Sequence, residues 1–160
     1  MLDRLFPRQI DNAFRGPWIA LALFALVVFV KGAQAVVSIV DTHRVATTAD
    51  GISLDGLNAA QVQTVLSLFA ALGWYVLLLP LLSLIVLIRY RAMIPLMYLM
   101  LLVMQLGIRA LHAFHPAFAE TGASGQPTGF YVNLGILAVT LIGFALSLRD
   151  RSGAQTGAGT

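Results

Sequence analysis

Two charged residues, Lys31 and Arg109, stand inside long apolar stretches of the sequence. A charged side chain in the hydrocarbon core of a membrane is costly, so it normally faces protein or water and marks a functional site. No Asp or Glu lies in these stretches, so neither cation has an acidic partner within them. We therefore predict that Lys31 binds a phosphate or carboxylate group. The alternative is a structural one, in which its long side chain reaches out to the membrane surface.

Polar residues recur on the same helical faces as these two cations. If the stretches are helical, Gln105 and Arg109 share one face, and Lys31, Gln34 and Ser38 share another. Buried polar groups need partners in a membrane, so we expect these faces to turn toward each other in a polar pocket. The predicted ligand-binding residues are Lys31, Gln34, Ser38, Gln63, Ser67, Gln105, Arg109 and Asn133. The alternative is that they are ordinary polar anchors near the membrane surface.

The three histidines of the chain fall on one predicted side of the membrane. His112 and His115 can present two imidazoles on one helical turn, with His43 as a third metal ligand. Pro116 directly follows His115 and biases it away from helical geometry, which weakens this metal site. Haem is less favoured still, because no histidine pair lies inside the apolar stretches at a matched depth. We predict no cofactor, and a bound lipid is the ligand we would look for.

Two further faces predict helix packing, either within one chain or against another. Met93, Met97, Met100 and Met104 recur at helical spacing, and methionine forms adaptable apolar contacts. Gly143 and Ser147 are four residues apart, and small residues at this spacing let membrane helices approach closely. These six residues are the predicted interface.

No arrangement of catalytic residues accompanies these features. The sequence has no paired carboxylates inside the apolar stretches, no phosphate-binding glycine loop and no zinc-protease motif. It has no cysteine, which excludes disulfides, thiolate metal sites and thiol nucleophiles. We therefore predict that the chain is not an enzyme.

The elements that must position these residues are four apolar runs. Hydrophobic residues make up 59% of the 160-residue chain and charged residues only 11%, whereas soluble domains carry roughly a quarter charged residues. A membrane-spanning helix needs roughly 17–25 predominantly apolar residues, and each run is long enough. The predicted spans are residues 18–40, 62–88, 92–111 and 130–148. The fold class we predict is an all-α integral membrane four-helix bundle over residues 18–148.

The segments outside the bundle are too short to fold independently. In the leader, residues 1–17, apolar residues recur every four positions at Leu2, Phe6, Ile10 and Phe14. This pattern indicates a short amphipathic helix at the membrane surface, over about residues 7–14, with an irregular leader as the alternative. The tail, residues 149–160, is rich in Gly, Ala, Ser and Thr, and we expect it to be mobile.

Basic residues at the ends of the spans predict the orientation in the membrane. Seven of them fall on one side, namely Arg4, Arg8, Arg15, Arg89, Arg91, Arg149 and Arg151. The positive-inside rule places this side, with both termini, in the cytoplasm. We expect a bacterial inner membrane as the location. Because the basic residues flank spans instead of clustering on one face, nucleic acid is not an expected partner.

Three functions are compatible with this sequence. The first is a non-catalytic accessory or structural subunit, whose partners would be membrane lipids and other subunits or a second copy of the chain. The second is an outward-facing protein that binds or transports an anionic or lipid-like ligand in the polar pocket. The third is a metal or haem protein that uses the histidines of the outer face.

Overall fold

The computed structural model describes residues 5–7, 10–114 and 128–149, with the side chains of His112 and Thr128 left out. Within these ranges the chain forms helices, turns and loops, with no strand. Four long helices are named α1 (Trp18–Val40), α2 (Ala59–Arg89), α3 (Ile94–Phe114) and α4 (Thr128–Ser147). All four are long and apolar enough to cross a membrane. The prediction of an all-helical fold with four helices that could span a membrane is confirmed.

The helix ends follow from local capping as well as from the apolar runs. Helix α1 covers the predicted residues, whereas α2 begins three residues earlier than the run. The Asn58 side chain accepts a hydrogen bond of 3.0 Å from the Gln61 amide, and the Gln61 side chain accepts one of 2.9 Å from the Asn58 amide. This reciprocal pair is a capping box, which satisfies backbone donors at a helix start. It explains why α2 begins at Ala59.

Replacing Asn58 with alanine removes the cap and is expected to lower the free energy of unfolding by about 1 kcal/mol. Amide hydrogen exchange should become faster in the first turn of α2 and stay unchanged elsewhere. The exposed Gln63, one turn further along the same helix, provides the control, and Gln63→Ala should leave both measurements unchanged. Unaltered exchange in the first turn of Asn58→Ala would contradict the capping role.

The helices form an antiparallel bundle. Gly73 of α2 lies against Ser38 of α1, and Pro80 lies against Gly32, so these two helices run in opposite directions. Helix α1 also packs along α4, and α3 packs on α4, while α2 and α3 touch less closely. The four helices therefore follow one another around the bundle, and the α1–α4 contact closes it. We call the end where α1 begins the inner end and the opposite end the outer end.

The apolar core lies toward the inner end. Tyr98 of α3 is fully buried, and its hydroxyl donates a hydrogen bond of 2.7 Å to the carbonyl of Ala20 in α1. Its ring meets the ring of Phe24 edge to face, with 5.0 Å between the centroids. Ile94 and Leu101 complete the centre of this core. The inner half of the bundle is thus closed by side chains.

Five of the six predicted interface residues pack inside the chain. Met97 is buried in the core, and Met93 and Met104 pack against it. Gly143 lies against the ring of Tyr98, and Ser147 is buried with its hydroxyl donating to the carbonyl of Phe144. Met100 is exposed. The spacing identified packing faces, and those faces hold the helices of one chain together.

Residues 10–17 of the leader lie against the inner end of the bundle. Residues 10–17 are not helical, so the predicted helix over residues 7–14 is not present in this part, and residues 8 and 9 lie outside the described ranges. The carboxylate of Asp11 pairs with Arg15 at 3.2 Å, and its carbonyl accepts a hydrogen bond of 3.3 Å from the amide of Ala92. Phe14 packs against the core. These tertiary contacts replace the helix that the apolar spacing indicated. The predicted mobile tail, from residue 150 on, lies outside the described residues.

Candidate functional site

Lys31 is buried inside the bundle. It lies nine residues before the last residue of α1, which is about 13 Å along the helix axis from its outer end. The residue is only 8% exposed, and its Nζ donates a hydrogen bond of 2.8 Å to Oδ1 of Asn133 in α4. The ammonium group is therefore held inside the bundle, and the structure brings the two predicted residues Lys31 and Asn133 together.

The charge of Lys31 has no acidic counterpart in the membrane. Helices α1 to α4 contain no Asp or Glu, and the only recorded partner of the ammonium in the described part of the chain is the neutral amide of Asn133. An ammonium group carries three hydrogen-bond donors, so its bonding capacity is not used up. A buried charge without a counter-charge costs several kcal/mol, even after the protein relaxes. The site therefore favours the binding of a negatively charged group.

A second cation adds to this positive potential. Arg109 of α3 is partly buried and lies near Lys31, because it packs on Phe130, which is about one turn of α4 away from Asn133, the partner of Lys31. The guanidinium carbon lies 5.4 Å from the centroid of the Phe130 ring in α4, which is a cation–π contact. No ion pair links Arg109 to an acidic group among the residues that the structure covers. Its remaining donors are suited to a carboxylate or phosphate.

Gln105 and Thr140 form a polar contact deeper in the bundle. Gln105 is 6% exposed, and its Nε2 donates a hydrogen bond of 3.2 Å to Oγ1 of Thr140. The Thr140 hydroxyl itself donates to the carbonyl of Ile136 at 2.6 Å. The Oε1 atom of Gln105 is buried and has no hydrogen-bond partner in the described ranges. A buried acceptor without a hydrogen bond lowers the stability of the fold by about 1–3 kcal/mol, so a donor that reached this oxygen would be stabilising.

These groups lie at two depths between α1, α3 and α4. Arg109 is four residues beyond Gln105, which places it about 6 Å nearer the outer end of α3. Asn133 precedes Thr140 by seven residues, or about 10 Å along α4. The level nearer the outer end is cationic and the deeper level presents a hydrogen-bond acceptor. We call the two levels together the outer polar site.

Four predicted ligand-binding residues do not belong to the outer polar site defined above. Gln63 and Ser67 are exposed on α2, and the hydroxyl of Ser67 donates to the carbonyl of Thr64 in its own helix. Ser67 lies about 120° around α2 from Gly73, through which that helix packs on α1. Gln34 and Ser38 are partly buried in α1, where the Ser38 hydroxyl donates to the Gln34 carbonyl. Polarity alone did not indicate which way these faces turn.

The predicted metal site falls largely outside the described residues. His43 is exposed beside the outer loop, while His115 and the side chain of His112 are not described. Across the ranges that are described, no group of three or more His, Cys, Asp or Glu residues is placed to hold a metal ion. The metal prediction stays a prediction.

Comparison of the chain with protein families, curated proteins and solved structures finds no match.

Proposed function

We propose that this protein is a non-catalytic membrane protein that binds the anionic group of an amphiphilic ligand in the outer polar site. The observation that carries the proposal is the buried ammonium of Lys31, which has one neutral partner and a second cation nearby. A phosphate or carboxylate would accept the remaining ammonium hydrogens and offset the repulsion between Lys31 and Arg109. Charge-assisted hydrogen bonds of this kind are about twice as strong as neutral ones.

An amphiphile fits the surroundings better than a small soluble anion does. On α3, Val103 and Leu106 are exposed close to Gln105 and Arg109, and they present an apolar surface to the acyl chains. Arg109 is only partly buried, so a headgroup has an approach from the outer end. A lipid can keep its chains in the bilayer while its headgroup enters between the helices, whereas a free ion must give up its hydration without that compensation.

Arginines at the ends of the helices support an orientation of the bundle in the membrane. Arg15, Arg89, Arg91 and Arg149 lie at the inner end of the bundle, which supports a cytoplasmic location for that end and for both termini. The outer polar site then opens on the side of the membrane away from the cytoplasm. As in the sequence-based prediction, we propose a bacterial inner membrane as the location.

The other two functions have less support. A subunit function was based on methionines and small residues, but five of those six positions pack within the chain. A metal or haem function depends on His112 and His115, whose side chains lie outside the described residues.

The proposal predicts that binding of an anionic lipid depends on both cations. In phosphatidylcholine nanodiscs, native mass spectrometry should detect phosphatidylglycerol bound to the wild-type protein. The double variant Lys31→Gln/Arg109→Gln should bind it at least about tenfold more weakly, because each lost charged hydrogen bond is worth about 1.5–3 kcal/mol. Arg44→Gln is the matched control, since Arg44 is an exposed outer-end cation that already pairs with Asp41 at 2.7 Å.

Equal binding by the wild type and the double variant would overturn the proposal. Inorganic phosphate serves as a second probe in the same nanodiscs. If phosphate displaces the lipid at equal concentration, the anionic group alone is recognised and the amphiphilic part of the proposal is wrong.

A further inference from the structure

We infer that the ligand carries a hydroxyl group beside its anionic group, and that Gln105 recognises this hydroxyl. The chemical class is a polyol phosphodiester, such as a glycerol-type lipid headgroup. The inference rests on the proposed function, because it assigns a specificity to the same outer polar site.

The orientation of the Gln105 amide is set by Thr140. The Thr140 hydroxyl donates its single hydrogen to the carbonyl of Ile136 at 2.6 Å, and in this position its oxygen accepts from Gln105. If the amide were rotated by half a turn, the hydroxyl would have to give up its short bond to Ile136 in order to donate to Oε1. The structure therefore favours the orientation in which the NH₂ group of Gln105 faces Thr140 and Oε1 is left as an acceptor.

One other buried polar atom in the described ranges lacks a partner, the hydroxyl of Ser83 in α2. A serine hydroxyl can rotate and donate to a carbonyl one turn earlier in its own helix. Gln105 has no such freedom, because its amide is held by Thr140. Of the two atoms, Oε1 of Gln105 is the one that requires a donor from outside the helix.

The donor that suits Oε1 is a neutral hydroxyl. A carbonyl oxygen repels anionic oxygens, so the anionic group belongs with Lys31 and Arg109. An ammonium group on the ligand would be opposed by the same two cations, which lie close enough to repel each other. A hydroxyl donates a hydrogen bond without adding charge.

The spacing of the two levels suits such a headgroup. Gln105 and Arg109 are four residues apart on one face of α3, a rise of about 6 Å. A short polyol ester spans a distance of this order between its phosphate and a hydroxyl. One ligand can therefore reach the cations with its phosphate and Gln105 with its hydroxyl.

The test compares two lipids that differ only in this hydroxyl function. Phosphatidylglycerol and phosphatidylethanol carry the same phosphodiester charge, but phosphatidylethanol has no headgroup hydroxyl. The full-length wild-type protein in phosphatidylcholine nanodiscs is expected to prefer phosphatidylglycerol by about tenfold, the value of one hydrogen bond to a buried group. Gln105→Leu should abolish the preference, so that the two lipids bind with equal affinity, because it removes the acceptor for the headgroup hydroxyl.

Thr140→Val provides a second variant at the same level. Without the Thr140 oxygen the Gln105 amide can turn, so the preference for phosphatidylglycerol over phosphatidylethanol should become smaller than in the wild type. If Gln105 had a merely structural role, Gln105→Leu would instead weaken the binding of both lipids to the same extent.

The outcomes separate this inference from the proposed function. Equal binding of the two lipids by the wild type overturns the hydroxyl inference and leaves anion binding intact. Binding of neither lipid overturns both. Competition by soluble glycerol phosphate, but not by ethyl phosphate, would support the hydroxyl inference and identify a free ester as the ligand instead of a lipid. The wild-type comparison alone decides the question if a variant fails to fold.

Discussion

Gly143→Ala is expected to lower the free energy of unfolding by about 3 kcal/mol, through overpacking and the loss of a buried hydrogen bond. A Cβ atom at this position would lie 2.5 Å from Cζ and 2.7 Å from Cε1 of Tyr98. The Tyr98 ring is fully buried, so it can yield only by moving away from Phe24 and from the carbonyl of Ala20. Denaturant unfolding in detergent micelles measures the effect.

Gly135 supplies the matched control, because it lies in the same helix and an added Cβ would meet nothing within 4 Å. Gly135→Ala should leave stability unchanged or raise it slightly, since alanine has the higher helix propensity. In a Tyr98→Leu background, Gly143→Ala should cost far less, which tests the pair directly. Similar losses for Gly143→Ala and Gly135→Ala would show that the Tyr98 contact does not decide the effect.

Lys31→Met is expected to make the ligand-free protein more stable, by about 1 kcal/mol or more. Methionine fills a similar volume and removes a buried charge that has only Asn133 as a recorded partner. Asn133→Leu should do the opposite and cost about 1.5–3 kcal/mol, because it leaves the ammonium without its hydrogen-bond acceptor. Thermal unfolding in phosphatidylcholine nanodiscs gives both values.

Adding phosphatidylglycerol should reverse the order of stability. The wild type gains stability with ligand concentration, because the ligand binds only the folded state, whereas Lys31→Met gains none. Arg44→Met, at an exposed position, should behave like the wild type in both conditions. If Lys31→Met is instead as unstable as Asn133→Leu without ligand, the lysine has a structural role and the proposed function loses its main support.

The spans could be predicted because an apolar run of sufficient length has few structural alternatives to a membrane-spanning helix. The apolar run over residues 18–40 has the same bounds as α1, whereas α2 begins before its run because of the Asn58 cap. The leader could not be predicted in the same way, since its apolar period of four also fits an amphipathic helix. What overrides that period is the contact of Asp11 with Ala92 and of Phe14 with the core, which only the folded chain reveals.

Part of the candidate site could also be predicted from the sequence, because polar residues inside apolar runs are few and need partners. Lys31, Gln105, Arg109 and Asn133 are polar residues within apolar runs, and each requires a partner wherever the helices pack. Phe130 and Thr140 were not predicted as site residues, and Gln63 and Ser67 were included although they face outward. Phenylalanine and threonine are ordinary in membrane helices, and their contacts with Arg109 and Gln105 depend on helix rotation. Spacing along one helix carries no information on that rotation.

The contacts of the leader restrict the order in which parts of the protein can pack together. Asp11 and Phe14 leave the ribosome first, but they contact Ala92 and the core around α3, which are synthesised much later. Gly16 also lies beside the backbone of Ser147, near the end of α4. The contacts of residues 11–16 with α3 and α4 can therefore form only after those two helices have been made.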